Sequence, residues 1–346
     1  DSRGFLEVPR ELPGFLTVLM AGLLCALPET FVAAAAACAT GLGMMGLFWV
    51  GDSWMGMLAM MTLWSVGTHL LMPVRSSLGM ALAKEGGKGR RLGQVASAGL
   101  VASIIGCGIV YWATAYGGLG YGALFAIGGG AAMVGAVFFL CMKMPDAHLE
   151  RPVFKMDWRY RLYYMLAFLF GARKQIFITF GPWVLVKVFG QPASVIAMLW
   201  IVSSVLGIVF QPLLGRAIDR FGERAVLMID SILIFFVCAG YGGASYLPDP
   251  AAGLYLLYAC FVGDQMLFGV NMARDTYLSK IVAAKEDISP TLSLGITINH
   301  AVSMSVPAVG GLMWMHWGHS SVFMGAAVVA VFMLVFSSMV RIPAKR

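Results

Sequence analysis

Charge is what this chain has least of. Asp, Glu, Lys and Arg make up 12% of its 346 residues, against about a quarter in an ordinary soluble chain. A water-facing surface would use most of that quarter, so the deficit excludes a soluble globular fold and implies a surface turned toward lipid. Paired cysteines are missing too. Cys25, Cys38, Cys107, Cys141, Cys238 and Cys260 stand singly in apolar segments without a CxxC spacing, which argues against a zinc site or a disulfide framework and leaves them as packing residues. No HExxH, GxSxG or P-loop occurs, so neither hydrolysis nor ATP-driven pumping has a basis. No cofactor or metal is implied, and no enzyme is expected. The run from Gly117 to Gly122 has near-dinucleotide glycine spacing but sits in a short turn between apolar runs, not after a strand.

What is present is hydrophobicity: 60% of residues are apolar and the mean hydropathy is +0.82. Eleven runs approach the roughly 20 residues that cross a bilayer: Pro13 to Pro28, Val32 to Val50, Trp54 to Ala83, Val95 to Tyr116, Tyr121 to Met142, Tyr163 to Phe189, Ser194 to Leu214, Ala225 to Leu247, Gly253 to Ile281, Thr291 to Trp314, and Ser321 to Val340. Between the first two, Pro28, Glu29 and Thr30 mark a tight turn or a kink. Alternate connections are basic. They hold Lys84 to Arg91, Lys143 to Arg161, Arg216 to Arg224, Lys280 with Lys285, and the tail Arg341 to Arg346. The positive-inside bias puts these in the cytoplasm, together with the C-terminus, and suits a multi-pass protein of an inner membrane. The net charge of +7 is used up in these loops, so no nucleic-acid partner is expected.

An outside start and an inside end imply one further helix upstream, for a total of twelve. The expected organisation is then an N-terminal bundle over 1–142, a cytoplasmic linker over 143–162 and a C-terminal six-helix bundle over 163–346, the layout of a carrier with repeated halves. A weak internal repeat agrees. Val74-Arg75-Ser76, Leu78, Lys84-Glu85 and Leu92-Gly93 echo Ala273-Arg274-Asp275, Leu278, Lys285-Glu286 and Leu294-Gly295.

The segment Gly215-Arg-Ala-Ile-Asp219-Arg220-Phe-Gly222-Glu-Arg224 resembles the G-x-x-x-D-R-x-G-x-R loop of the major facilitator superfamily, between its eighth and ninth helices. The resemblance implies an all-α polytopic fold of two six-helix bundles related by a pseudo-two-fold axis. It also implies a cytoplasmic latch in which the glycines permit a tight turn while Asp219, Arg220 and Arg224 make charge contacts. The first-half copy of the motif, due near Ala26 to Phe31, is absent. So is the G-P-x-x-G-G pattern of drug/proton antiporters, whose nearest echo is Pro307 to Gly311.

Substrate chemistry has to come from polar groups inside the apolar runs, which are costly there and usually face a cavity or a partner. Arg173 lies roughly 15 Å into a core about 30 Å thick; with Lys174 it calls for either a protein carboxylate such as Asp264 or a substrate anion. Asp264, Phe268, Asn271 and Asp275 share one helical face. Ser293, Thr297 and His300 share another, with His300 either a proton carrier or a neutral histidine bridging helices. His69, Gln175 and Gln211 are further candidates, and Ala98, Ala102 and Gly106 form a small-xxx-small series suited to close helix contact. The reading is a monomeric secondary transporter that moves a small anionic or zwitterionic solute by alternating access. Arg173, Lys174, Gln175, Asp264 and Asn271 bind it, and Asp264 or His300 couples protons. Alternatives are proton-driven efflux of hydrophobic drugs, or a non-transporting receptor or accessory protein with the carrier fold.

Overall fold

A computed structural model describes residues 12–50, 53–115, 119–144 and 156–342, and no strand occurs among them. After a helical turn at 12–15, the helices are α1 (Thr17–Leu23), α2 (Glu29–Trp49), α3 (Trp54–Ala81), α4 (Lys88–Ala115), α5 (Tyr121–Cys141), α6 (Arg161–Lys187), α7 (Ala193–Phe221), α8 (Glu223–Gly243), α9 (Pro250–Leu267), α10 (Asn271–Ile281), α11 (Ile288–Trp317) and α12 (His319–Ser338). Most of the expected linker and tail, and residues 1–11, lie outside the described residues.

Nine helical stretches among the described residues are long and apolar enough to cross a membrane. Two of the expected spans are not among them. The first run yields a helical turn at 12–15 and the seven residues of α1, and the next helix starts only after Pro28, its N-cap. The other is α6, whose 27 residues have ample reach, but Arg173, Lys174 and Gln175 in mid-helix pull its hydropathy down.

Three boundaries differ from the sequence expectation for physical reasons. Helix α7 runs to Phe221, so the Gly215 to Arg224 segment is two helical turns followed by a corner, not a loop. The corner is Gly222, at φ +83°, a backbone region that glycine enters without penalty. Helix α4 starts at Lys88, which places Arg90 and Arg91 in its first turn. The long run to Ile281 breaks into α9 and α10 at a 3₁₀ turn, Phe268–Val270. The amide of Gln211 lies so close over Gly269 that a Cβ there would collide with it.

The chain groups into two compact units, the first Asp1–Leu82, Ala102–Asp157 and Val282–His300, the second Ala83–Val101, Trp158–Ile281 and Ala301–Arg346. In the first, Val32, Ala33 and Ala36 of α2 meet Leu70, Val74 and Leu78 of α3, positions three or four apart that share a helical face. Glu29 belongs to this packing, since its Oε1 accepts from Ser77 Oγ at 2.9 Å. In the second unit α8 and α12 share an aromatic core, where Tyr241 stacks on Phe323 at 4.6 Å between centroids and Phe177 packs edge-on to Tyr241 at 5.5 Å.

Helix α4 corrects the small-residue expectation. Ala98, Ala102 and Gly106 are exposed, and a Cβ on Gly106 would meet open space. The close contact of α4 is made on another face, by Gly89, Gly93 and Ser97. A Cβ on Gly215 of α7 would run into the Gly89 carbonyl, one on Gly93 would run into the Gln211 carbonyl, and Ser97 Oγ donates to the Ile208 carbonyl at 2.7 Å. The backbones touch because hydrogen is all that stands between them.

Candidate functional site

Arg173 projects from the middle of α6 and is 1% exposed. Its Nη2 donates to Asp264 Oδ1 of α9 at 2.6 Å and approaches the Asp264 carbonyl at 3.3 Å. Phe170, Phe177 and Phe268 surround the guanidinium, with centroids 5.7 to 6.0 Å from Cζ. Ring faces are electronegative, so they favour a cation while excluding water. Nε and Nη1 of Arg173 are buried without a hydrogen-bond partner.

A second guanidinium lies beside the first. Arg274 of α10 is buried, with its Cζ 3.5 Å above the Phe170 ring centroid. It donates to Asn271 Oδ1 through Nη2 and acts electrostatically on Asp275, Tyr163 and Asp230. Asp230, on α8, is 4% exposed and feels the charges of Arg173, Arg274 and Asp264; its Oδ1 has no hydrogen-bond partner. In the second unit the two guanidiniums, Arg173 and Arg274, therefore both lie by the Phe170 ring, with Asp264 bound to the first.

Of the expected binding residues, Arg173 and Asp264 are brought together. Gln175 is half-buried, and its Nε2 donates within α6 to Thr179 Oγ1 at 3.0 Å. Lys174 is half-buried one position further round the helix. Asn271 serves Arg274. His300 lies in the first unit, its ring edge-on to His69 with centroids 4.7 Å apart. His69 Nδ1 donates to the Ser65 carbonyl at 2.9 Å. Any side chain at Gly14 would strike the His300 ring, with a Cβ only 2.6 Å from Nδ1.

At the end of α7, Asp219 accepts from the first turn of α4: Gly89 N–H to Oδ1 at 2.8 Å and Arg90 N–H to Oδ2 at 2.7 Å. The opening amides of a helix lack intrahelical partners and carry partial positive charge, so one carboxylate satisfies two of them. The resemblance implied charge contacts for the arginines as well. Arg220 instead lies over the Phe221 ring at 5.4 Å, and Arg224 is exposed. The ion pair at this corner joins Lys280 to the buried Glu223 at 2.5 Å.

Asp230 and Glu223 were missed by the sequence reading. Asp230 had a signal, since it is the one acid within the apolar run Ala225 to Leu247 and the cost that flags Asp264 applies to it equally. Glu223 had none, because a loop glutamate beside arginines reads as solvated.

A family model described as Major Facilitator Superfamily matches residues 12–274. No curated protein sequence matches the chain. Among solved structures, the transporter FucP in its outward conformation is similar at a TM-score of 0.77 and 13% identity, covering 99% of this chain and 90% of that one. The proton:xylose symporter XylE, bound to a bromodeoxyglucose, gives 0.75 and 11%, covering 96% and 84%. The human organic anion transporter TETRAN gives 0.71 and 12%, covering 96% and 82%.

Proposed function

The chain belongs to the major facilitator superfamily and is a multi-pass secondary transporter; we propose that its cargo is a small organic solute bearing an anionic group, alone or beside a cation. The observation that carries this reading is the guanidinium of Arg173, buried in a membrane helix with Nε and Nη1 lacking acceptors. Arginine stays charged and presents five donors, and unmet donors in an apolar interior cost free energy. A carboxylate arriving from solution supplies acceptors and charge together. Asp264, already on Nη2, is placed to answer the cationic group of a zwitterion.

Transport then proceeds by alternating access around a midplane site, with the C-terminus in the cytoplasm of an inner membrane. Asp219, on the backbone of α4, acts as the latch that holds the cytoplasmic ends of α4 and α7 together. Protons are the coupling ion, a reading supported by the names of FucP and XylE, which describe a fucose:proton and a proton:xylose symporter.

The test is a thermal-stability screen of the purified protein against carboxylates, amino acids, neutral sugars and cationic drugs. A ligand at about 100 times its Kd raises stability by about 2.7 kcal/mol. Carboxylates or amino acids should stabilise the wild type and not R173Q. Stabilisation by neutral sugars or cationic drugs alone overturns the reading, as does an unchanged response in a folded R173Q.

A further inference from the structure

We propose that Gln211 is a positioning residue for the site: its amide, wedged against Gly269, holds the turn between α9 and α10 that brings Arg274 rather than Asp275 beside Phe170. It acts through backbone geometry. The consequence for cargo rests on the reading of the solute as an anion; the wedge itself does not.

The run from Pro250 to Ile281 contains no proline after its first residue, yet it leaves α-helical geometry at Phe268–Val270. Glycine alone does not account for this, because Gly263 lies inside α9 without interrupting it. The two glycines differ in what covers them. A Cβ on Gly269 would collide with Oε1, Nε2 and Cδ of Gln211, whereas one on Gly263 would meet Val237 at an ordinary 3.8 Å. Sharp changes in a helix arise at prolines, glycine pairs, π-bulges or an intruding side chain, and here the intruding side chain is Gln211.

Gln211 is held from behind. Pro212 follows it inside α7 and lacks an N–H, which leaves the Ile208 carbonyl without its intrahelical donor; Ser97 of α4 supplies one at 2.7 Å. The Gln211 carbonyl faces Gly93 so closely that a Cβ there would collide with it. The side chain is buried, and its Oε1 has no donor. An acceptor left in that state costs free energy, so packing keeps the amide in place, and what it contributes is bulk.

A 3₁₀ turn winds about 120° per residue and an α-helix about 100°, so a three-residue turn advances α10 by about 60°. Counted from Asp264 along an unbroken helix, Arg274 would stand about 80° from that residue's direction and Asp275 about 20°. The added rotation reverses this, to about 20° for Arg274 and about 80° for Asp275. The observed contacts follow the reversed order. Asp264 binds Arg173 of α6, Arg274 lies over Phe170, one turn earlier on that helix, and Phe268 in the turn itself packs on Phe170 at 5.4 Å. A straight helix would instead aim the Asp275 carboxylate along the line of Asp264, where it would oppose the anion that Arg173 attracts.

Hydrogen exchange of the full chain in lipid nanodiscs, read without added solute in a peptide spanning residues 265–275, tests the wedge. Removing a buried side chain that merely packs should speed exchange there. Q211A should instead slow it severalfold, because the turn reverts to the better-aligned hydrogen bonds of an α-helix. Q211M, which keeps the bulk without the amide, should exchange at the wild-type rate. Exchange in Q211A that is unchanged or faster overturns the proposal, as does a Q211M that slows like Q211A. If Q211A fails to fold, Q211N, which draws the amide back from Gly269, takes its place under the same criteria. The consequence for cargo is read in the carboxylate stability screen. Q211A should weaken the apparent affinity by about tenfold, the size of one lost charged contact, while Q211M keeps it; equal affinity in Q211A overturns the effect on cargo. A wild type that no carboxylate stabilises counts against the anion reading instead, and the exchange result then decides the wedge by itself.

Discussion

Arg173 and Asp264 meet at 2.6 Å with side chains 1% and 4% exposed. An ion pair so enclosed is worth little compared with an apolar pair of the same shape, yet breaking it is expensive, because the remaining charge is buried without its partner. R173Q and D264N should each lower stability by about 3–5 kcal/mol, and the double variant should lose less than the two single losses added. Chemical denaturation of the four proteins in one lipid environment measures this, and additive losses would mean that the pair is not energetically coupled.

Asp219 holds the amides of residues 89 and 90, and hydrogen bonds to charged groups contribute about 1.5–3 kcal/mol. D219A should release both. Hydrogen exchange in a peptide spanning residues 88–92 should then accelerate by about tenfold for each 1.4 kcal/mol lost. Unchanged exchange would show that the contact is not maintained in solution.

Glycine at 215 and glycine at 106 face opposite surroundings, the first against a backbone carbonyl and the second open. G215A should cost about 1–3 kcal/mol through overpacking, whereas G106A should be neutral or stabilise by up to about 1 kcal/mol through better helix propensity. Thermal denaturation of the two variants side by side makes the comparison, and equal behaviour would contradict the close seam between α4 and α7.

His300 packs its ring on His69, a contact that phenylalanine reproduces without a titrating group. H300F should keep the pH dependence of transport. Its loss in a folded H300F would place the coupling proton on the imidazole.

The membrane class and the Arg173–Asp264 candidates were legible in the sequence because each rests on a large local cost. Charge in an apolar run is expensive wherever it falls. Helix ends were less legible. The Gly215 to Arg224 segment is polar enough to read as a loop, yet it stays helical as far as the one residue with positive φ, Gly222. Helix contact by small residues was read from spacing alone, which cannot tell which of two glycine-bearing faces of α4 meets a neighbour. Ala98, Ala102 and Gly106 fit the pattern and stay exposed, while Gly89 and Gly93 make the contact. Asp230 was legible in principle. It drew no attention because it stood alone in its run, and a lone carboxyl gains meaning only when neighbours from other helices are known.

The donors facing Asp219 are peptide N–H groups, and every amino acid except proline supplies one. The α4 half of this clasp is therefore indifferent to side-chain identity at residue 90. At residue 89 the nearby carbonyl of Gly215 imposes smallness but no chemistry. The information that fixes the contact is carried by one carboxylate and by the place where a helix begins. A single inserted or deleted residue ahead of Lys88 would undo it more surely than most substitutions.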